Sequence, residues 1–205
     1  GERTNESPTA RGAVHLDRDG LGQLWLSNNH LKARLGPQGV EQLHHHHGGS
    51  WGEPLLSNPM ALKRYSDRGE FWDAWDIASD YREHPLAIKP VGAVQLLESG
   101  PLVAQLVVRY LLGISAMRLD LRLKADCPWL ELIVSVDWRQ RHELLRLEFP
   151  LASPAVRLAA DTSGGVIERP AHPQTPCEKE RWEVPAISWM ASQAKAPGGG
   201  IAVLL

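Results

Sequence analysis

The residues best equipped for chemistry lie in residues 58–77, above all in Phe71-Trp72-Asp73-Ala74-Trp75-Asp76. Three aromatic rings and two carboxylates share six positions. Large rings bury much apolar surface, whereas carboxylates resist burial unless paired. Such a segment suits a rim or cleft, rings packed inward and acids facing a polar partner. The competing reading is a core edge, with Trp72 and Trp75 filling space and Asp73 and Asp76 capping a turn. Asp137 sits beside Arg139, Arg141 and His142, a set that reads first as a strand-end salt bridge and second as a site. Glu168-Arg169-Pro170 with His172 reads equally as a ligand-facing loop or as a loop held by its own ion pair. His44 to His47 precede Gly48-Gly49-Ser50. Consecutive residues on an extended chain point to opposite faces, so we read these four as a solvent-exposed loop and expect no metal site there. The chain has no Gly-x-Ser-x-Gly elbow, phosphate-binding loop, dinucleotide fingerprint or zincin helix.

The elements that must position these groups read as strands. Residues 14–16 and 21–26 flank Asp19-Gly20, a hairpin turn pair. Leu31, Ala33 and Leu35 alternate with Lys32 and Arg34, the period of a half-buried strand, before Pro37-Gln38-Gly39 turns the chain. Residues 79–89 form an irregular connection. Alternation then recurs along Leu102–Tyr110, Leu119–Leu123 and Leu145–Phe149, and Leu130, Leu132, Val134, Val136 and Trp138 form a further inward row. Residues 161–165 and 175–179 read as polar loops, and 180–184 and 187–190 as short strands. Short turns and the lack of helical periodicity argue for antiparallel sheets stacked face to face. The apolar run 201–205 reads as a strand cut off mid-run, so we read the chain as an excised fragment. Residues 1–12 read as a linker or trimmed start, and 13–205 as one β-sandwich domain.

The 205 residues suffice for a real core, and 43% hydrophobic with 22% charged residues places the chain among globular proteins. A net charge of -2 and the lack of a dense basic run argue against nucleic acid and anionic membrane as partners. No apolar run reaches the length of a membrane span. Cys127 and Cys177 form neither a zinc quartet nor a disulfide framework, so two free thiols and a cytoplasmic, reducing compartment are expected.

Four stretches, in order, resemble glycoside hydrolase family 38, the α-mannosidases. They are Trp72-Asp73-Ala74-Trp75-Asp76-Ile77, residues 136–145 (Val136-Asp137-Trp138 onward), residues 165–172 (Gly165-Val166-Ile167-Glu168 onward) and Arg181-Trp182-Glu183-Val184-Pro185-Ala186. The resemblance implies a retaining α-mannosidase whose zinc ion and aspartate nucleophile lie in an N-terminal α/β barrel. A small helical domain and large β-sandwich domains of the galactose mutarotase-like supersandwich type would follow that barrel. Nothing here resembles the barrel, so no catalytic residue or zinc ligand carries over. The resemblance instead implies a non-catalytic β-sandwich part, with the barrel and helical domains as its own partners and an α-mannoside or oligosaccharide as the parent's substrate. Trp72, Asp73, Trp75 and Asp76, and Glu168, Arg169 and His172, are the substrate-bordering candidates.

Glycoside hydrolysis uses two carboxyl groups flanking the scissile bond. Asp73, Asp76, Asp137, Glu143, Glu168 and Glu183 supply the number, but sequence sets no pair at the required separation. A second reading is a carbohydrate-binding module in which Trp72, Trp75 and Trp51 stack on sugar faces and Asp73 or Asp76 takes sugar hydroxyls. A third is a sugar epimerase in which His142 or His172 meets Glu143 or Glu168 as acid and base.

Overall fold

The computed structural model describes residues 12–69, 72, 76–195 and 200–205. Strands β1 (His15–Arg18), β2 (Leu24–Ser27), β3 (Leu31–Gly36), β4 (Gly39–His47) and β5 (Ser50–Trp51) form one meander in chain order. Next come β6 (Ala61–Ser66), β7 (Pro85–Leu86), β8 (Lys89–Pro90), β9 (Gln95–Ser99), β10 (Val103–Leu112), β11 (Ser115–Lys124) and β12 (Glu131–Asp137). The second sheet runs β12-β11-β10-β8, with β9 also on β10. Strand β13 (Glu143–Glu148) returns to β6, which pairs β7 in turn. Strands β14 (Ala155–Thr162), β15 (Gly165–Pro170), β16 (Trp189–Ala194) and β17 (Ala202–Leu204) form a fourth sheet, ordered β15-β14-β16-β17. Every ladder described is antiparallel.

The alternating rows explain the stacking. Leu26, Ala33, Leu35 and Val40 of the first sheet share one core with Leu106, Leu119, Leu121 and Leu123 of the second. Leu62, Leu145 and Leu147 of the third sheet pack against the same core. Four of these leucines are fully buried within the second sheet alone, and each such side chain contributes roughly 1.5–3 kcal/mol. The chain is therefore the all-β antiparallel sandwich that the alternation predicts. Gly39 closes the β3–β4 turn at φ +90, and a Cβ there would lie 2.8 Å from Met60 Sδ, which is buried beneath it. The Tyr110 hydroxyl donates to Pro37 O of that turn at 2.8 Å, and burial pushes its phenol up to about 12.

Four expectations are corrected. His44 to His47 are the end of β4, not a loop, because β3 and β5 hydrogen-bond it on both sides. The row Leu132, Val134, Val136 has the expected parity, with Val134 opposite the buried Leu119. Yet Val134, Val136 and Trp138 are 37–40% exposed. Strand β12 is the outer strand of its sheet, and the core cluster reaches only as far as Leu130 and Leu132. Residues 180–184 are not a strand: a helical turn, α1 (Pro176–Lys179), precedes them, in place of the expected polar loop. Thr175 caps that turn through its hydroxyl, and the Glu178 carboxylate accepts from Thr175 N in return, a reciprocal capping box. Cys127 is buried, Cys177 is exposed, and both are free thiols. Among the described residues no helix is long and apolar enough to cross a membrane.

Candidate functional site

A second, smaller core lies at residues 77–81, just past the aromatic and acidic segment in the chain. Tyr65 of β6 meets Tyr81 edge-on at 5.1 Å, and Ala78, Ile77 and Leu144 close around them. Tyr81 starts a short 3₁₀ turn (Tyr81–Glu83) and is 1% exposed. A buried phenol needs partners for its O–H and its lone pairs. Tyr81 donates to Glu183 Oε1 at 2.7 Å and accepts from Arg82 Nε at 2.9 Å. Arg146 of β13 donates to both the Tyr81 hydroxyl and Glu183. Its guanidinium also lies 5.2 Å from the Tyr81 ring centroid. Burial, and then the Glu183 carboxylate, push the Tyr81 phenol above its ordinary value, while the bond to Tyr81 raises Arg82 further. The phenol therefore stays protonated and its oxygen is saturated.

This cluster fixes the neighbouring chain. Trp182 Nε1 donates to Ile77 O at 3.0 Å, and Ala78 N donates to Asp67 Oδ1 at 2.8 Å. Asp76 is half-buried, and its backbone N donates to Trp72 O at 2.9 Å. Trp72 is 70% exposed and Trp182 is 42% exposed, so two indoles reach solvent from adjoining stretches. Asp73 and Trp75 lie outside the described residues. The exposure of Trp72 thus departs from both readings, since each packs that ring inward.

The other sequence candidates are dispersed. Glu168 and Arg169 lie on β15, not in a loop, and Glu168 pairs with Arg157 of β14 at 2.8 Å instead of with Arg169. The antiparallel ladder sets Glu168 two positions from Arg157 on the neighbouring strand, within diagonal reach. Arg169 Nε is buried without a partner among the described residues. His172 is exposed just past β15. Among the described residues no hydrogen bond or ion pair joins these three to Trp72 or Asp76. Asp137 forms the expected strand-end pair, with Arg139 at 2.6 Å. Glu143 is held by Arg64 through two bonds, 2.6 and 3.1 Å. Of the carboxylates named for the epimerase pairing, Glu143 thus faces Arg64 and Glu168 faces Arg157.

Four of the six carboxylates offered by the sequence, Asp137, Glu143, Glu168 and Glu183, thus face cations. Sequence reasoning missed Tyr81 and Arg146. Tyr81 falls in a stretch without periodicity, and Arg146 occupies the polar side of an alternating row, where solvent is the default expectation. A shallow groove of about 510 Å³ runs over the ends of β10, β11 and β12, beside Arg109, Arg118 and Asp137. It is lined by none of the substrate-bordering candidates.

Residues 26–205 match the family model described as the glycosyl hydrolases family 38 C-terminal domain. Alpha-mannosidase 2C1 of Mus musculus is 29% identical over 179 residues, covering 82% of this chain and 17% of the relative. Alpha-mannosidase 2C1 of Homo sapiens is 30% identical over 159 residues, covering 74% of this chain and 14% of the relative. Alpha-mannosidase G of Dictyostelium discoideum is 25% identical over 189 residues, covering 90% and 17%. The chain thus spans less than a fifth of the length of these relatives.

Proposed function

We propose a function from the premise that this chain belongs to the glycosyl hydrolases family 38 C-terminal domain family: it is the non-catalytic β-sandwich part of a retaining α-mannosidase. The observation that carries the reading is the match of that C-terminal domain over residues 26–205, on a chain that folds as the antiparallel sandwich the resemblance implies. The relatives' names support a terminal α-mannoside as the parent's substrate. Zinc and the nucleophile belong, on this proposal, to a barrel outside this sequence. Two free thiols suit a reducing compartment, and we place the enzyme in the cytoplasm.

Within the parent, the sandwich supports the barrel, and residues 72–76 border the mannose site. The saturated Tyr81–Glu183–Arg146 cluster and the Trp182–Ile77 bond hold the chain that follows this stretch, and pre-organised positioning is what a pocket wall contributes to catalysis. Glu168, Arg169 and His172 form a second bordering group. The test is Trp72→Ala in an enzyme containing this chain. Removing a ring that contacts substrate is expected to weaken kcat/KM for an α-mannoside by about tenfold, near 1.4 kcal/mol. Unchanged kinetics in a normally folded variant would remove Trp72 from the pocket wall.

A specific observation favours one alternative, a stand-alone carbohydrate-binding module: Trp72 and, at 40%, Trp51 expose their rings. Titration with mannose oligosaccharides separates the readings. Saturable quenching of tryptophan fluorescence in the isolated chain supports the module, and a flat titration rejects it.

A further inference from the structure

The four histidines of β4 fall on two faces, and only one pair is engaged with the protein. His44 Nδ1 lies 2.9 Å from Gly52 O, and its ring packs 6.0 Å from Trp25. His46 meets Trp51 edge-on at 4.9 Å. His45 and His47 occupy the other face, the one that carries the core residues Leu31 and Ala33 on β3. They continue that face beyond the core and are exposed. Their rings lie 6.4 Å apart, tilted by only 25°. Among the described residues neither ring makes a hydrogen bond or ion pair. The backbone beneath them is fixed by β3 on one side and by β5 on the other. Gly48 (φ +59) and Gly49 (φ +86) close the β4–β5 hairpin with the two left-handed positions that a tight two-residue turn demands.

We propose that His45 and His47 form a two-imidazole clip for a late first-row divalent metal ion, with water completing the coordination. Neutral imidazoles suit Zn²⁺, Ni²⁺ and Cu²⁺, whereas Mg²⁺ demands oxygen ligands. Tetrahedral chelation through nitrogens about 2.0–2.1 Å from the metal brings ring centroids to about 5 Å, a small side-chain rotation from the geometry seen. Strand alternation specifies the pair: 45 with 47, and not 44 with 46.

Calorimetric titration of the full chain with Zn²⁺ alone tests this, with Mg²⁺ as the hard-cation control. The clip predicts a saturable Zn²⁺ site that Mg²⁺ does not fill. His45→Gln, His47→Gln and the double variant should each weaken binding by about tenfold or more, and His44→Gln/His46→Gln should leave it nearly unchanged. Far-UV circular dichroism should be the same for all variants that alter only the exposed face. No saturable Zn²⁺ binding, or equal losses in the two double variants, or a loss confined to the 44/46 variant, would overturn the proposal.

Discussion

Asn28 joins two stretches 96 residues apart with one side chain. Its Oδ1 accepts from His30 N and Leu31 N, and its Nδ2 donates to Lys124 O and Cys127 O. All four amide positions are used in a residue that is 5% exposed. Asn28→Ala should therefore cost about 2–3 kcal/mol, measured by urea unfolding, because buried backbone groups lose partners. Asp161 acts similarly at the surface. It accepts from Ser188 Oγ and from the backbone N of Ile187, Ser188 and Trp189. These bonds, the Ser188 hydroxyl first, hold its carboxyl well below the ordinary 3.8. A depressed folded value means the stabilisation is complete above the unfolded value and is lost as pH falls toward the folded one. Asp161→Asn should thus lower the melting temperature at pH 6, with the gap to wild type narrowing as pH drops below about 4. A gap independent of pH would contradict this. Neither role was legible in the sequence. Asp161 belonged to a stretch read as a polar loop, and its partners lie 26–28 positions onward.

The strands that alternate cleanly, such as β3, β10 and β11, were legible because a period of two needs no knowledge of the partner. What alternation does not reveal is whether a row is covered. Val134 and Val136 carry the inward pattern yet remain over a third exposed on an outer strand. Histidine is a weak strand signal, so the end of β4 was hidden from composition and is set by pairing on both sides. The Trp-Asp segment was recognisable from residue types, but its support was not. Arg64 and Glu143 lock β6 to β13 with side chains only 10% and 14% exposed. Glu143→Ala should destabilise by about 3 kcal/mol, since it strands a buried guanidinium. A loss under about 0.5 kcal/mol in chemical denaturation would mean that solvent replaces the carboxylate. Tyr81→Phe should leave Glu183 and two arginines short of a partner at a cost of about 1–3 kcal/mol. It should also free Trp182, detected as a change in tryptophan emission.

For the molecule as a whole, the shared core of the first two sheets is the main source of stability, and its leucines at 0% exposure are the sensitive positions. Leu121→Ala should cost about 2–5 kcal/mol, with the upper end if the facing sheet does not collapse into the cavity. The class of fold was legible at this scale because every inward row needed an opposing one. The placement of the candidate site was not, because its residues come from β6, β13 and the stretches around residues 72–83 and 182–183. The central claim is that this sandwich supports mannoside hydrolysis without performing it. The most direct measurement is turnover of a fluorogenic α-mannoside by the purified chain, with and without added Zn²⁺. The account predicts a rate equal to that of buffer in both conditions. Zinc-dependent turnover that survives repurification and is abolished by substitution within this chain would contradict it.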